Sequence, residues 1–151
     1  MRLDGVLLSL DIDGTLDCGN PSGRLCRQDA LAAVEAGALI GSASDRTASD
    51  QVRVWAGWRV TPTFVVPKHG LAEVAARFPG WSRLHVGDGF VDWLEATRAG
   101  FDFLNVADLA ATPWSLPAAL QPWYQHRDQP SRRRATPHPE EESDAQLRLS
   151  M

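Results

Sequence analysis

Leu7-Leu8-Ser9-Leu10-Asp11-Ile12-Asp13-Gly14-Thr15-Leu16 is the stretch on which the fold turns. A short apolar run ends in two aspartates that flank one isoleucine, and a glycine follows. Side chains alternate along a strand, so Asp11 and Asp13 are expected to leave the backbone on the same side. At the carboxyl end of a buried strand they would stand at the mouth of an open α/β sheet, where ligands bind. Two carboxylates so close repel unless a cation lies between them or one holds a proton. Plainer readings are a simple turn after an apolar run or a calcium loop. A calcium loop needs further oxygen ligands and a closing glutamate, whereas Leu16, Cys18 and Gly19 follow here.

The 151 residues are enough for one domain with a proper core. A net charge of −4 gives no general electrostatic footprint for nucleic acid. Cys18 and Cys26 are too few for a disulfide framework and are expected to stay reduced. The apolar run after Met1-Arg2 is too short for a signal peptide, and no segment is long enough to span a bilayer. A cytoplasmic protein with no membrane partner is the expectation.

Val6 to Leu10 reads as a first strand buried on both faces. Asn20-Pro21-Ser22-Gly23 has the residue order of a type I turn, which makes Leu16 to Leu25 a small hairpin flap beside the aspartates. Gln28 to Ala36 is helical and stopped by Gly37; Ala38 to Ser42 is a second strand. Thr47 and Asp50 form a helix-starting pair, with Val52, Trp55 and Ala56 behind it. Thr63 to Val66 is a third strand, Leu71 to Phe78 an amphipathic helix, Leu84 to Val86 a fourth strand. Trp93 to Ala99 is helical and Phe101 to Val106 a fifth strand, with Trp55 and Trp93 expected in the core. Strands alternating with helices define an α/β protein with a five-stranded parallel sheet covered on both faces.

Residues 1–108 form this domain. Over residues 109–126, Pro113, Pro117 and Pro122 leave room for one short helix around Ala118 to Gln121, and Trp114 and Trp123 are expected to pin the extension to the body. Residues 127–151, rich in proline, arginine, glutamate and serine, read as a disordered tail.

The polar residues fall where these strands end. The first gives Asp11 and Asp13, the second Ser44, the third Lys68, the fourth Asp88 and Asp92. Parallel strands bring those ends to one edge. In that order, Asp11-Ile12-Asp13-Gly14-Thr15-Leu16, Ser44, Lys68 and Gly87-Asp88-Gly89-Phe90-Val91-Asp92 resemble the signature segments of the haloacid dehalogenase superfamily of phosphotransferases. The first and fourth segments are the specific ones. The resemblance spans about Leu3 to Val106 and implies a three-layer Rossmann-like sandwich with strands ordered 5-4-1-2-3.

It also implies a magnesium-dependent phosphatase acting through an aspartyl-phosphate. Asp11 would be the nucleophile, Asp13 the general acid and then the base. Ser44 and Lys68 would complete the catalytic set around the phosphoryl oxygens. The Mg²⁺ ligands would be the Asp11 carboxylate, the Asp13 backbone carbonyl and Asp88, with Asp92 in or next to the shell. Gly14, Thr15, Asp45 and Arg46 are candidate substrate contacts, with a structural ion pair an equal alternative for Arg46. Charge counting independently calls for a divalent ion: up to four aspartates and a phosphate dianion face one lysine.

Neither interval in which large cap domains enter has room for one, so an open site is expected. Capless members act on bulky or macromolecular phosphoesters or borrow a lid from a second subunit, which leaves a homodimer possible. A non-catalytic module that binds a phospho-ligand or protein on the same fold is the alternative. A receiver domain is set aside, since its phosphoacceptor ends the third strand, and here Val65-Val66-Pro67 does.

Overall fold

Val6–Leu10 (β1) is buried at every position and lies at the centre of a five-stranded sheet. The structure, a computed structural model, describes residues 1–109 and 115–127. Leu39–Ser44 (β2) and Ser82–Gly87 (β4) pair with β1 on either side, both parallel to it. Phe64–Pro67 (β3) and Asp102–Asn105 (β5) close the two edges, also parallel. The order β3-β2-β1-β4-β5 is the expected one, and the sheet is Rossmann-like.

Strand alternation divides the core into two. Leu8, Leu10, Ile40, Leu84 and Val86 pack with Arg27–Glu35 (α1) and Ala48–Trp58 (α2) through Ala30, Ala33, Trp55 and Trp58. Leu7, Ala43, Phe64, Val66 and Phe101 pack on the other face with Leu71–Arg77 (α3) and Phe90–Arg98 (α4) through Leu71, Val74 and Ala96. A 3-10 turn, Lys68–Gly70, joins β3 to α3.

Local signals act as expected where they satisfy backbone groups. The Thr47 hydroxyl accepts from the Asp50 amide at the start of α2. Gly37 follows α1 with φ of 108°, a left-handed turn that a side chain would strain. No helix among the described residues is long and apolar enough to cross a membrane. The intervals from β1 to α1 and from α2 to β3 contain no further helix or sheet.

Four readings need correction. The flap is not a hairpin: Leu16 and Leu25 form a single parallel bridge. Within it the Asn20–Pro21 peptide is cis, and the Gly23 amide donates to the Leu16 carbonyl instead of closing a type I turn on Asn20. Helix α4 begins at Phe90 rather than Trp93, because Gly89 takes the extended N-cap conformation and releases the chain into helix early. Trp93 is therefore not core; it is 44% exposed and leans against the ring of Phe90, whereas Trp55 is 1% exposed. The prolines do not limit the extension to one helix. Leu116–Ala119 (α5) and Gln121–His126 (α6) each carry proline in the first turn, where no amide hydrogen is required.

Leu116, Leu120 and Trp123 of this extension are buried against α1 and the sheet. Trp123 also donates to Asp102 at 2.7 Å and the Tyr124 hydroxyl to the Asp4 carbonyl. Trp114 and residues 128–151 of the tail lie outside the described residues.

The two tryptophans give a stability test. Trp55→Ala is expected to lower unfolding free energy by about 3–5 kcal/mol in urea titration. Trp93→Ala is expected to change it by less than about 1 kcal/mol.

Candidate functional site

Because all five strands run the same way, their carboxyl ends share one edge, and the polar residues following them meet there. Asp11 comes directly after β1, Ser44 ends β2, Lys68 follows β3, and Asp88 follows β4. Asp92 reaches the same place from the first turn of α4. Lys68 Nζ lies 3.4 Å from Asp11 Oδ2 and 3.4 Å from Asp92 Oδ2. Asp45, on the exposed side, approaches the same ammonium at 3.6 Å. One carboxylate oxygen each from Asp11, Asp88 and Asp92 lies within 4.8 Å of the others, a spacing that could hold a metal ion.

Asp13 is not among the three carboxylates whose spacing could hold a metal ion, although the charge of Lys68 reaches it. It sits in a turn beyond the end of β1. Its carboxylate is gripped by Arg46, with Nη2 to Oδ1 at 2.7 Å and Nε 3.2 Å from both oxygens, and it accepts the Asn20 amide. Arg46 is thus an ion pair in this structure. The buried Ser44 hydroxyl accepts the Arg46 amide at 3.0 Å. Gly14, with φ of 78°, lies under Asp88: a methyl group there would run into the Asp88 carboxylate. Thr15 does not face solvent. Its side chain is fully buried, its hydroxyl has no hydrogen-bond partner among the described residues, and its amide and carbonyl are spent on Ile12 and Leu25. His69 is exposed.

Three positioning residues escaped the sequence reading. His85 Nε2 meets Asp92 Oδ1 at 2.8 Å, and Ser9 Oγ meets His85 Nδ1 at 2.8 Å. Gln51 on α2 donates from Nε2 to the Arg46 and Val66 carbonyls and accepts the Ser42 hydroxyl. It thereby fastens the loop after β2 to the end of β3, just before Lys68. The available signal was a polar residue at a buried position of an apolar run, which periodicity alone does not distinguish from a solvent-facing one.

The electrostatics follow from burial and crowding. Burial, then the charge of Asp92, raise the Asp11 carboxyl to about 8 against the pull of Lys68 and the Ile12 amide. Burial also acts to raise Asp92, but the hydrogen bond and charge of His85, with Lys68, hold it below the usual carboxylate range. Of these two carboxyls, Asp11 is the one whose protonated form is favoured. Burial works against the Lys68 ammonium, yet Asp11, Asp92 and Asp45 outweigh it and raise its pKa. Asp13 is lowered, first by its hydrogen bond to Arg46.

The donor set suits a hard divalent cation: all oxygen, partly buried, with Asp92 Oδ2 buried and lacking a hydrogen-bond partner among the described residues. Comparison with protein-family models, with curated proteins and with solved structures finds no match to this chain.

The raised Asp11 pKa has a defined sign. The folded protein keeps a proton that the unfolded chain, with its ordinary pKa of 3.8, gives up. This contribution to stability is complete below about pH 4, declines as pH rises, and is gone above about pH 8. Metal-free protein is expected to melt at lower temperature at pH 9 than at pH 6, and Asp11→Asn to flatten that dependence. Scanning calorimetry in chelator-treated buffer checks both.

Proposed function

We propose that the chain is a magnesium-dependent phosphomonoester hydrolase of the haloacid dehalogenase type, working through an aspartyl-phosphate on Asp11. The observation that supports this best is the meeting of Asp11, Lys68, Asp88 and Asp92 at one sheet edge from three separate connections. The order of the sheet is the one that the signature segments imply.

In this reading an Asp11 carboxylate oxygen attacks phosphorus and the bond to the ester oxygen breaks. Asp13 gives its proton to the departing alkoxide. Asp13 then takes a proton from water as that water attacks phosphorus, the Asp11–phosphorus bond breaks, and inorganic phosphate leaves. Asp11, Asp88 and Asp92, with the Asp13 carbonyl that the resemblance adds, would hold Mg²⁺, which when bound would supply the positive charge that a phosphate dianion needs to enter an acidic site. Lys68 offsets charge on the phosphoryl oxygens, and Ser44 orients them. Arg46 has a second role open to it: a phosphate dianion competes with Asp13 for the same guanidinium fork. Transfer of that fork to the substrate would leave Asp13 free to carry a proton.

The Arg46–Asp13 pair also supports a second reading. An Asp13 held ionised by Arg46 is a poor acid, and a site of this kind could bind a phospho-ligand without turning it over.

Hydrolysis of an aryl phosphate, with Mg²⁺ and with chelator, separates the two. The phosphatase reading expects turnover that chelator removes and that Asp11→Asn lowers by at least about a thousandfold. Saturable binding of phosphate esters with no phosphate release, across a broad panel, would establish the second reading instead.

A further inference from the structure

Asp92 is held from behind by a buried chain of hydrogen bonds. His85 Nε2 lies 2.8 Å from Asp92 Oδ1, and His85 Nδ1 lies 2.8 Å from the Ser9 hydroxyl. Ser9 and His85 are 0% exposed and Asp92 is 1% exposed. An ionised carboxylate only accepts, so Nε2 carries the hydrogen that faces Asp92. Nδ1 meets the Ser9 hydroxyl, accepting from it in the neutral ring and donating to it in the charged one. With both ring nitrogens engaged, the ring plane is fixed.

The backbone builds this arrangement. Ser9 and His85 are register partners on the neighbouring parallel strands β1 and β4. They alternate with Leu8, Leu10, Leu84 and Val86, which point to the α1–α2 core, so both face the side covered by α4. Gly87 completes the fit: a methyl group on it would collide with the Asp92 carboxyl. The other Asp92 oxygen, Oδ2, is buried, has no hydrogen-bond partner among the described residues, and faces the Lys68 ammonium at 3.4 Å. Ser9 is no nucleophile, since it is sealed in mid-strand and a substrate cannot reach it.

We infer that Ser9 and His85 form a positioning relay that fixes Asp92 with one oxygen occupied and the other presented to a divalent cation. This rests on the reading of Asp11, Asp88 and Asp92 as a cation site. His85 sets how tightly that cation is held without touching it. Groups behind metal ligands fix ligand orientation, and their loss commonly weakens metal binding by about 10–100-fold.

The test measures Mn²⁺ binding by electron paramagnetic resonance, with Mg²⁺ as competitor, and needs no substrate. Wild-type protein is expected to bind Mn²⁺. His85→Leu, which removes the donor but keeps an apolar fill, is expected to bind at least about tenfold more weakly while remaining folded by circular dichroism. His85→Gln can still donate to Asp92 and is expected to stay within about threefold of wild type. Both variants disturb the buried ring site, so a merely structural role would weaken both alike, and that result overturns the inference. Equal binding by wild type and His85→Leu overturns it too, while leaving the cation site standing. If wild-type protein binds neither ion, the cation site itself falls and the relay with it. Should His85→Leu not fold, Ser9→Ala decides: a loss of several-fold supports the relay, and unchanged affinity overturns it.

Discussion

Three charged side chains with almost no access to water meet behind the edge of the sheet. Lys68 is 11% exposed, Asp11 4% and Asp92 1%, with the ammonium 3.4 Å from each carboxylate. Taking three ions out of water is expensive, and mutual attraction compensates only when the charges balance. One lysine cannot balance two buried aspartates with Asp88 and Asp45 close by. Burial first, and then the charge of Asp92, favour the protonated form of Asp11 and raise its carboxyl to about 8. The same crowding leaves one oxygen each of Asp11, Asp88 and Asp92 at a spacing that could hold a metal ion.

The sheet makes this crowding possible. Parallel strands deliver their carboxyl ends to one side, so four connections that are distant in sequence contribute to a single place. Glycines provide clearance where side chains approach backbone. Gly14 leaves space for the Asp88 carboxylate and Gly87 for that of Asp92. Neither position would tolerate a methyl group without moving a charged side chain, so these two glycines bear on the acidic cluster as well as on the turns that contain them.

The scaffold was largely legible because its signals are periodic. Five apolar runs separated by amphipathic segments define the sheet, and Thr47, Gly37 and Asp11 mark element boundaries through backbone chemistry that sequence displays directly. The failures share a cause. Gly89 was read as loop because glycine usually punctuates, whereas here it is the N-cap that starts α4 early and turns Trp93 outward. Pro117 and Pro122 were read as breakers, whereas a proline in the first helical turn is tolerated and allows two helices. His85, Ser9 and Gln51 were passed over because their roles depend on what lies across the sheet or under a helix. Local pattern carries no such information.

Support for the acidic edge comes from both faces of the sheet, and the two supports differ in kind. On the α1–α2 side, Gln51 ties the Arg46 and Val66 carbonyls together and is itself held by Ser42, which accepts from the Trp55 indole. That network fixes backbone, setting the separation between the loop that carries Arg46 and the turn that carries Lys68. On the α3–α4 side, Ser9 and His85 fix a side chain, the Asp92 carboxylate. Buried polar networks of this sort are costly when incomplete and rigid when complete. Here the hydrogen bonds end at residues of the edge: one chain at a carboxylate, the other at the carbonyl of an arginine that grips Asp13. Ser9, Ser42, Gln51 and His85, all fully buried, are thus spent on holding residues of the acidic edge in place.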